Sequence, residues 1–368
     1  MNGPVIVGAG YYGEKTKDLV RNMPDRSIAL INHKDIDLVA AESLIKKEVK
    51  AIVNAGESMS GTFYHEGVKL LLEHHIPVYD LKTSSRDLEY SGIEIMITDR
   101  EIFRKIKGQW TRAGEISKWD STKLMVRIAE SYDRQMHTFT AFMENSLTFA
   151  QNELPLFIKS VESLEAIPEL EGKLVIVVAR GPGYMKDLLY WQDMIRTPKT
   201  VILAVDGAAE GVLGAGAVPD FVIGDMDSVP DDILTLSSTF IAHAYMSGES
   251  PGYLRLKKAG KTSSTCRFPG VSEDLAIVLA GKSGAEHIYT IGCRTGYLEM
   301  LEKNRPGMGS TLLTRSFLGD KVSDIKASHK FLTSVGPFYS GGKRKSIHRL
   351  LEEELEWEGE GGEGVDES

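Results

Sequence analysis

The chain has few cysteines and no long apolar segment, and each shortage excludes a class of protein. Only two of its 368 residues are cysteine, Cys266 and Cys293. Two thiols cannot form a disulfide framework, and neither stands at a metal-ligand spacing. The longest apolar run, residues 174–179, is far too short to cross a bilayer, and the first residues lack the pattern of a signal peptide. We therefore expect a cytoplasmic, soluble protein with reduced, buried thiols and no transmembrane segment.

The body of the chain also lacks an excess of either charge. The formal net charge of -9 comes from residues 352–368, which hold nine acids and no lysine or arginine. A nucleic-acid-binding domain usually carries a basic face, so no nucleic-acid partner is expected. Residues 336–368 are too polar to pack a core and are predicted to be a disordered acidic tail, with at most a short helix near residues 347–357.

Three common catalytic signatures are missing as well. The histidines form no HExxH pattern, and neither a GxSxG elbow nor a GxxxxGK[ST] loop occurs. A zinc site, a serine-hydrolase elbow and a Walker-type nucleotide site are therefore not supported. Residues 8–13, GAGYYG, match the dinucleotide-binding fingerprint but follow an apolar run of only four residues. We interpret them as a flexible terminal turn.

Strand and helix patterns alternate along two stretches, which predicts an α/β fold. Residues 1–120 are predicted to form a smaller α/β domain of parallel strands with a β-rich antiparallel appendage at residues 84–118. Residues 172–335 are predicted to form a doubly wound, mostly parallel sheet. Its strands are expected at residues 174–180, 201–206, 221–225, 240–244 and 287–292.

A long amphipathic helix is predicted within residues 121–171, as a connector between these domains. Apolar residues recur there at spacings of mostly three, four or seven. They are Met125, Ile128, Ala129, Tyr132, Met136, Phe139, Met143, Leu147, Leu154 and Ile158. Pro155 should kink this helix or begin a second segment. A stripe rich in methionine and phenylalanine is typical of packing between domains or subunits, so we expect a homodimer.

Acidic residues stand at the ends of two apolar strands, although acids are normally rare in parallel strands. Asp206 follows the strand at residues 201–205, and Asp225, Asp227 and Ser228 follow the strand at residues 221–224. The carboxyl ends of parallel strands meet at the edge where ligands bind, and carboxylate oxygens suit a Mg²⁺ ion that also takes phosphate oxygens. Helix capping by Asp206 and Ser228 is the alternative interpretation.

Two further segments could join this edge. Arg180 and Gly181 end the strand at residues 174–179 and begin a glycine turn before a helix, a place where phosphate groups bind. Ser272 opens another helix as a candidate N-cap, and Asp274 follows in its first turn as a candidate fourth carboxylate. Capping alone would also explain this second segment.

These motifs resemble the catalytic domain of thiamin pyrophosphokinases. The matching segments are residues 206–209 (DGAA), 219–220 (PD), 223–228 (IGDMDS) and 272–276 (SEDLA). The resemblance implies that the acids hold Mg²⁺ and the phosphates of ATP. Catalytic and metal-binding roles are carried over to Asp206, Asp225, Asp227 and Asp274. Nucleotide or phosphate contacts are carried over to Arg180, Gly181, Gly207, Ser228, Ser272 and Arg305.

A second resemblance covers nearly the whole chain and is to the SteA family of cytokinetic-ring proteins. The matching segments are residues 16–19 (TKDL), 33–42 (HKDIDLVAAE), 225–229 (DMDSV), 243–245 (HAY), 251–252 (PG), 272–274 (SED) and 305–311 (RPGMGST). It implies a role in bacterial cell division or envelope assembly. Members often carry a membrane-spanning segment near the carboxyl terminus, whereas residues 341–368 here are polar and acidic.

Three hypotheses follow from these resemblances. The first is a SteA-like protein that binds Mg²⁺ and a nucleotide or pyrophosphate and engages membrane-protein or division partners. The second is an active pyrophosphokinase that transfers diphosphate from ATP to thiamin or a pterin-like alcohol. The thiamin-binding β-sandwich of true thiamin pyrophosphokinases has no counterpart among the mostly polar residues after Leu332. The third is a structural division protein with a degenerate site.

Overall fold

The structure is a computed structural model that describes residues 5–82 and 91–330. The chain divides into two compact units. The first comprises Met1–Ile158 and Arg294–Ser316, and the second comprises Lys159–Cys293 and Phe317–Ser368. The predicted domain boundaries did not anticipate that Arg294–Ser316 returns to the first unit. The predicted acidic tail lies outside the described residues.

The first unit is built on a closed barrel of seven strands. In chain order these are β1 (Ile6–Gly13), β2 (Ile28–Ile31), β3 (Ala51–Asn54), β4 (Val78–Leu81), β5 (Ile93–Ile97), β6 (Glu101–Ile106) and β7 (Gln109–Lys118). Strands β1 to β4 are parallel neighbours, and β7, β6 and β5 complete the barrel with antiparallel pairs back to β1. The predicted antiparallel appendage is therefore the part that closes the barrel.

Helices cover the parallel part of this barrel. They are α1 (Thr16–Asn22), α2 (Leu38–Lys46) and α3 (Gly67–Glu73). The returning segment of this unit adds α10 (Tyr297–Leu301). Strands β2 and β3 are short runs in which every residue is buried, as parallel strands require when both faces are covered. Their side chains contribute to two separate cores, one shared with the helices and one inside the barrel.

Residues 8–13 are part of strand β1, so the prediction of a flexible terminal turn was wrong. Gly10 pairs with Ile28 of β2 and with Ile93 of β5. A Cβ atom on Gly10 would lie 2.5 Å from the Cγ1 atom of Ile95. The glycine therefore serves close packing in the barrel wall, and no glycine-rich turn precedes a helix here.

The predicted long helix is confirmed. Helix α4 spans Ser121–Ser163, 43 residues, and continues through Pro155. Pro155 therefore does not begin a second segment, as one interpretation proposed. The last five residues of this helix belong to the second unit, which begins at Lys159.

The second unit contains a parallel sheet of seven strands. They are β8 (Leu174–Val178), β9 (Thr200–Val205), β10 (Phe221–Gly224), β11 (Thr239–Ala244), β12 (Ser263–Arg267), β13 (His287–Ile291) and β14 (Val322–Asp324). Their spatial order is β12-β11-β10-β9-β8-β13-β14, so the direction of winding reverses between β8 and β13. The five predicted strands are all present, whereas the two edge strands were not anticipated.

Helices cover both faces of this sheet. They are α5 (Tyr184–Tyr190), α6 (Gln192–Ile195), α7 (Ala208–Gly214), α8 (Pro251–Lys258) and α9 (Ser272–Lys282), and α11 (Gly309–Leu318) ends in this unit. Residues of α5 to α8 share one core with Ile176 and Val178. Val175, Val177 and Leu203 alternate with that set and are also buried, and α9 packs against β8, β9, β10 and β13. The α/β fold with a doubly wound parallel sheet is therefore confirmed.

Among the described residues, no helix combines the length and apolar character needed to cross a membrane.

Candidate functional site

The candidate site lies at the carboxyl edge of the sheet in the second unit. Strands β8, β9 and β10 are neighbours there, with β9 in the middle. Arg180 follows β8, Asp206 follows β9 and Asp225 follows β10. The strand order therefore brings the three predicted site residues to adjacent positions, beside the point at which the winding of the sheet reverses.

Asp206 is held by backbone geometry on both sides. Its own φ is 49°, a left-handed conformation that aspartate tolerates better than most residues. Its Oδ1 atom accepts a hydrogen bond from the backbone N–H of Met226, over 3.0 Å. A Cβ atom on Gly224 would overlap this carboxylate, so glycine is required at the end of β10. The carboxyl group of Asp206 thus lies directly on the adjacent strand end.

The environment of Asp206 makes its negative charge costly. Burial raises the pKa of its carboxyl group to about 7, and the neighbouring carboxylates of Asp225 and Asp227 act in the same direction. The hydrogen bond from Met226 and the charge of Arg180 oppose this rise. The four charged side chains are therefore close enough to interact, and acids outnumber bases among them.

Arg180 reaches toward the same place across Gly207. A Cβ atom on Gly207 would lie 2.7 Å from the Cζ atom of Arg180 and 2.7 Å from the backbone oxygen of Ser228. The absence of a side chain at Gly207 therefore makes room for the guanidinium group beside Asp206. Ser228 itself is buried. The predicted phosphate-binding residues Arg180, Gly207 and Ser228 are thus brought together.

The glycine turn after β8 packs against the turn after β13. A Cβ atom on Gly181 would overlap the backbone oxygen of Gly292, and Gly292 itself has a φ of 67°. Both glycines are therefore needed for this close approach. The backbone of Gly181 is consequently fixed at the reversal point of the sheet, next to Arg180.

Asp225 and Asp227 lie on a turn that exposes their side chains. The backbone N–H of Asp227 donates to the Oδ1 atom of Asp225 over 3.0 Å, and Met226 between them is buried with a φ of 63°. Arg255 donates to the backbone oxygen of Met226, and its other terminal nitrogen bonds to Asp231 over 2.6 Å. This arginine, which the sequence motifs did not identify, positions the turn that carries both acids.

The next strand of the sheet joins the edge through His243, which lies in the matching segment at residues 243–245 but was given no role in the predicted site. His243 near the end of β11 bonds through Nδ1 to the Oγ atom of Ser272, over 3.1 Å, and through Nε2 to the backbone oxygen of Phe268, over 2.9 Å. Burial lowers the pKa of His243, although Asp225 opposes this change. Ser272 is the first residue of α9 and not its N-cap, which is Val271. Its hydroxyl group therefore links α9 to β11.

The remaining predicted residues are placed less directly. Asp274 lies in the first turn of α9 and is almost fully buried. Arg305 is exposed and belongs to the first unit, so the second unit alone does not bring it to this edge. Within residues 5–82 and 91–330, no group of three or more His, Cys, Asp or Glu side chains is arranged to hold a metal ion.

Only one of the two cysteine side chains is buried, although both were expected to be. Neither cysteine is in a disulfide, and Cys293 is buried whereas Cys266 is partly accessible. Burial raises the pKa of the Cys266 thiol to about 11, and the nearby carboxylate of Glu165 adds to the rise. Cys266 is therefore a protonated, weakly reactive thiol at neutral pH.

Comparison with known proteins gives solved structures only. No family model and no curated protein matches the chain. A thiamine pyrophosphokinase from Bacillus subtilis is similar with 19% sequence identity and a TM-score of 0.27, covering 42% of this chain and 60% of that one. A thiamin pyrophosphokinase from Geobacillus thermodenitrificans is similar with the same identity and TM-score, covering 41% and 58%. The chain thus spans about 60% of the length of these structures.

Proposed function

We propose that the second unit binds Mg²⁺ together with a nucleotide or pyrophosphate group at the carboxyl edge of its sheet. In this proposal the protein acts in the cytoplasm in a SteA-like role in bacterial cell division or envelope assembly. The cellular role rests on the sequence motifs alone. The binding role is supported by one structural observation, the packing of Arg180 and Asp206 over the glycines of the neighbouring strand ends.

The charges at this edge favour the binding of an anion together with a cation. Arg180 supplies a guanidinium group for phosphate oxygens, and a cation would offset the repulsion that raises the pKa of Asp206. A phosphate group without a cation would instead meet the exposed carboxylates of Asp225 and Asp227. The site therefore favours the metal complex of a phosphate ligand over the free ligand.

The donor chemistry at this edge fits Mg²⁺, although the protein alone does not provide a complete shell. Magnesium usually takes one or two carboxylates and completes its shell with water and phosphate oxygens. In the proposal the exposed carboxylates of Asp225 and Asp227 take this part, with Asp206 beside them and Asp274 as a further candidate. Bound magnesium would neutralise charge on the phosphate oxygens.

The decisive experiment is a calorimetric titration of the full chain with a non-hydrolysable ATP analogue, with and without Mg²⁺. We expect saturable binding that requires Mg²⁺, and at least a tenfold loss of affinity in the Asp225→Asn, Asp227→Asn double variant. Asp232→Asn is the matched control, because Asp232 is exposed nearby on the same connection and is not part of the proposed site. Equal binding by the double variant would contradict the proposal.

An active pyrophosphokinase is the second candidate, and the same site would serve it. Phosphoryl transfer needs mainly positioning and charge stabilisation, which Arg180 and the acids could supply. Formation of AMP from ATP in the presence of thiamin or a pterin-like alcohol, absent in the Asp225→Asn, Asp227→Asn variant, would establish this activity. Nucleotide binding without AMP formation would support the binding role and exclude the pyrophosphokinase activity with the alcohols tested.

A structural division protein with a degenerate site is the third candidate. It predicts no Mg²⁺-dependent nucleotide binding in the calorimetric titration. The close packing of Arg180 on Gly207 and of Asp206 on Gly224 argues against it, because a degenerate site would not need to keep two side-chain-free positions at adjacent strand ends.

The proposal includes a homodimer formed through helix α4. Residues Met125, Tyr132, Met136, Leu147 and Leu154 are each between 42% and 69% exposed, which is unusual for apolar side chains on a folded unit. A second copy of the chain would cover this face, because its own helix α4 presents apolar residues at the same spacing.

A further inference from the structure

A second group of polar side chains lies in the first unit, where the proposed nucleotide site has no part. The segment after β2 supplies His33, Asp35 and Asp37, and the segment after β3 supplies His65. Glu302 and Lys303 come from the end of α10. We call these six residues the barrel-edge cluster. It includes the start of the motif at residues 33–42, to which the proposed function assigns no role.

The backbone at this cluster is firmly held. The Oδ1 atom of Asn54, at the end of β3, accepts from the backbone N–H of His33 over 2.9 Å, and its Nδ2 atom donates to the backbone oxygen of His33 over 2.7 Å. Asp35 has a φ of 55°. Its Oδ1 atom accepts from the backbone N–H of Ser60 over 2.6 Å, and its Oδ2 atom accepts from the Ser60 hydroxyl over 3.1 Å. The two loops therefore form one rigid edge.

Asp37 is also held in place, by hydrogen bonds to the start of α2 and to Lys303. The Oδ1 atom of Asp37 caps α2 by accepting from the backbone N–H of Ala40 over 2.8 Å. Its Oδ2 atom accepts from the ammonium group of Lys303 over 2.7 Å. Burial would raise the pKa of Asp37, but the charge of Lys303 holds it below its usual value. Asp37 and Lys303 are therefore both charged and form an ion pair.

His65 is buried beside Asp35, and its Nδ1 atom has no hydrogen-bond partner among the described residues. Its side chain is fully inaccessible. The Nε2 atom lies 3.4 Å from the Oδ1 atom of Asp35. A Cβ atom on Gly67 would overlap the backbone oxygen of Ile36, so the following helix is pressed against the loop that carries Asp35. A buried polar atom without a partner is costly, and the fixed position of Nδ1 indicates a missing partner.

The charges of the cluster favour a cation as that partner. Burial raises the pKa of Glu302 to about 7, and the carboxylate of Asp37 adds to the rise, while His65, Lys303 and Arg294 oppose it. Burial also lowers the pKa of His33, so this imidazole is neutral at physiological pH. The cluster thus contains three carboxyl groups and one ammonium group, that of Lys303, which contacts Asp37.

We propose that the barrel-edge cluster binds a small molecule that carries a protonated primary amino group. Because Asp35 lies next to Nε2 of His65, the ring proton belongs on Nε2, and Nδ1 is left as an acceptor. An ammonium group has three donors and no acceptor, which matches Nδ1 and the carboxylate of Glu302. Glu302, His33 and Lys303 are partly accessible, so the cluster reaches the surface at these residues. This site is independent of the proposed nucleotide site.

The test is a titration of the full chain, labelled with ¹⁵N in its histidines, with ethylammonium chloride at pH 7.5 and constant ionic strength. Ethanol and sodium acetate serve as neutral and anionic probes of similar size. The His65→Asn variant identifies the resonances of His65. We expect ethylammonium to shift the Nδ1 resonance of His65 saturably, with a dissociation constant in the range of about 1 mM, as a ligand of this size permits. Ethanol should bind at least tenfold more weakly.

Two matched variants separate a binding site from a structural network. Glu302→Gln should weaken ethylammonium binding at least tenfold, whereas Glu73→Gln, at an exposed position on α3, should leave it unchanged. Circular dichroism establishes that each variant is folded. The proposal is overturned if ethylammonium causes no saturable shift up to ~100 mM, well above what such a ligand needs. It is equally overturned if ethanol shifts the same resonance as strongly, since ordered water would then be the partner of His65.

Discussion

At the scale of single residues, the candidate site depends on two positions that carry no side chain. Gly207 and Gly224 leave the space that Arg180 and Asp206 occupy. These glycines are invisible to any search for catalytic side chains, although both lie within the segments that resemble thiamin pyrophosphokinases. The sequence located the charged residues, but only the geometry shows why glycine stands between them.

Gly207→Ala should impair ligand binding more than folding. The new methyl group would displace the guanidinium group of Arg180 and press on the backbone of Ser228. We expect at least a tenfold loss of affinity for the Mg²⁺ complex of the ATP analogue, measured by calorimetry. Gly214→Ala is the control, because its methyl group would meet only the flexible end of Met185 at 3.4 Å. Unchanged affinity in Gly207→Ala would show that Arg180 does not contact the ligand.

The carboxyl group of Asp206 should make folding depend on pH. An unfolded aspartate releases its proton near pH 4, whereas burial and the neighbouring acids delay this release to about pH 7 in the folded chain. The folded state binds the additional proton between these values, so its stability falls as the pH rises through this window. Asp206→Asn carries no charge in either state and keeps the acceptor for Met226.

We therefore expect Asp206→Asn to gain stability over the parent chain as the pH is raised from 4.5 to 8 without Mg²⁺. The gain should reach at least about 1.4 kcal/mol, the value of one pKa unit. Urea unfolding of both proteins at the two pH values measures it. The same difference in stability at both pH values would mean that Asp206 is not desolvated in the folded chain.

At the scale of elements, apolar patterns predicted the central strands well and the edges poorly. Strands β8, β9 and β10 are nearly continuous apolar runs because both of their faces are buried. Strands β11 and β13 each carry a histidine but are buried along most of their length. Strand β12, with the sequence SSTCR, is mostly accessible, and β14 has only three residues. Such edge strands depend on a neighbour for their hydrogen bonds, and no local pattern reveals that neighbour.

The closure of the barrel in the first unit was unpredictable for the same reason. The pairs between β1 and β5 join residues that are more than eighty positions apart, such as Gly8 and Ile95. Residues 8–13 of strand β1 were mistaken for a turn because the apolar run before them has only four residues, and three of these six residues are glycine. Its extended conformation follows from pairing on both sides, which outweighs the weak intrinsic preference of glycine for strands.

Helix α4 carries a pattern that predicts how two copies would pair. Met125, Tyr132, Met136, Met143, Leu147 and Leu154 follow one another at alternating intervals of seven and four residues. An eleven-residue repeat is slightly more than three full turns, so this stripe runs along the helix for about 44 Å with little drift around it. Pairing with a second copy would bury the exposed apolar face along its length.

The Met136→Glu, Leu147→Glu double variant should therefore shift the protein from dimer to monomer. Two charges on each helix would face the partner in a desolvated stripe. Sedimentation equilibrium measures the change, and we expect at least a hundredfold rise in the dimer dissociation constant. Gln135→Glu, which adds a charge at an exposed position beside the stripe, should leave the dimer intact. A parent chain that sediments as a monomer at micromolar concentration would refute this assignment.

At the scale of the whole molecule, the chain contains two compact units, each with its own sheet and its own proposed binding site. A ligand that binds only the folded form of a unit stabilises that unit by about 2.7 kcal/mol at a concentration of one hundred times its Kd. Hydrogen exchange followed by mass spectrometry reports this stabilisation segment by segment. The two proposed sites therefore predict two separate protection patterns.

We expect the Mg²⁺ complex of the ATP analogue to slow exchange in peptides from residues 172–293, and ethylammonium to slow exchange in peptides from residues 28–81. The Asp225→Asn, Asp227→Asn variant should lose the first pattern and keep the second, and Glu302→Gln should do the reverse. This reciprocal result would establish both sites in one experiment, because a general loss of stability would reduce both patterns together. Protection of residues 28–81 by the nucleotide analogue alone would show instead that the barrel-edge cluster responds to the nucleotide site.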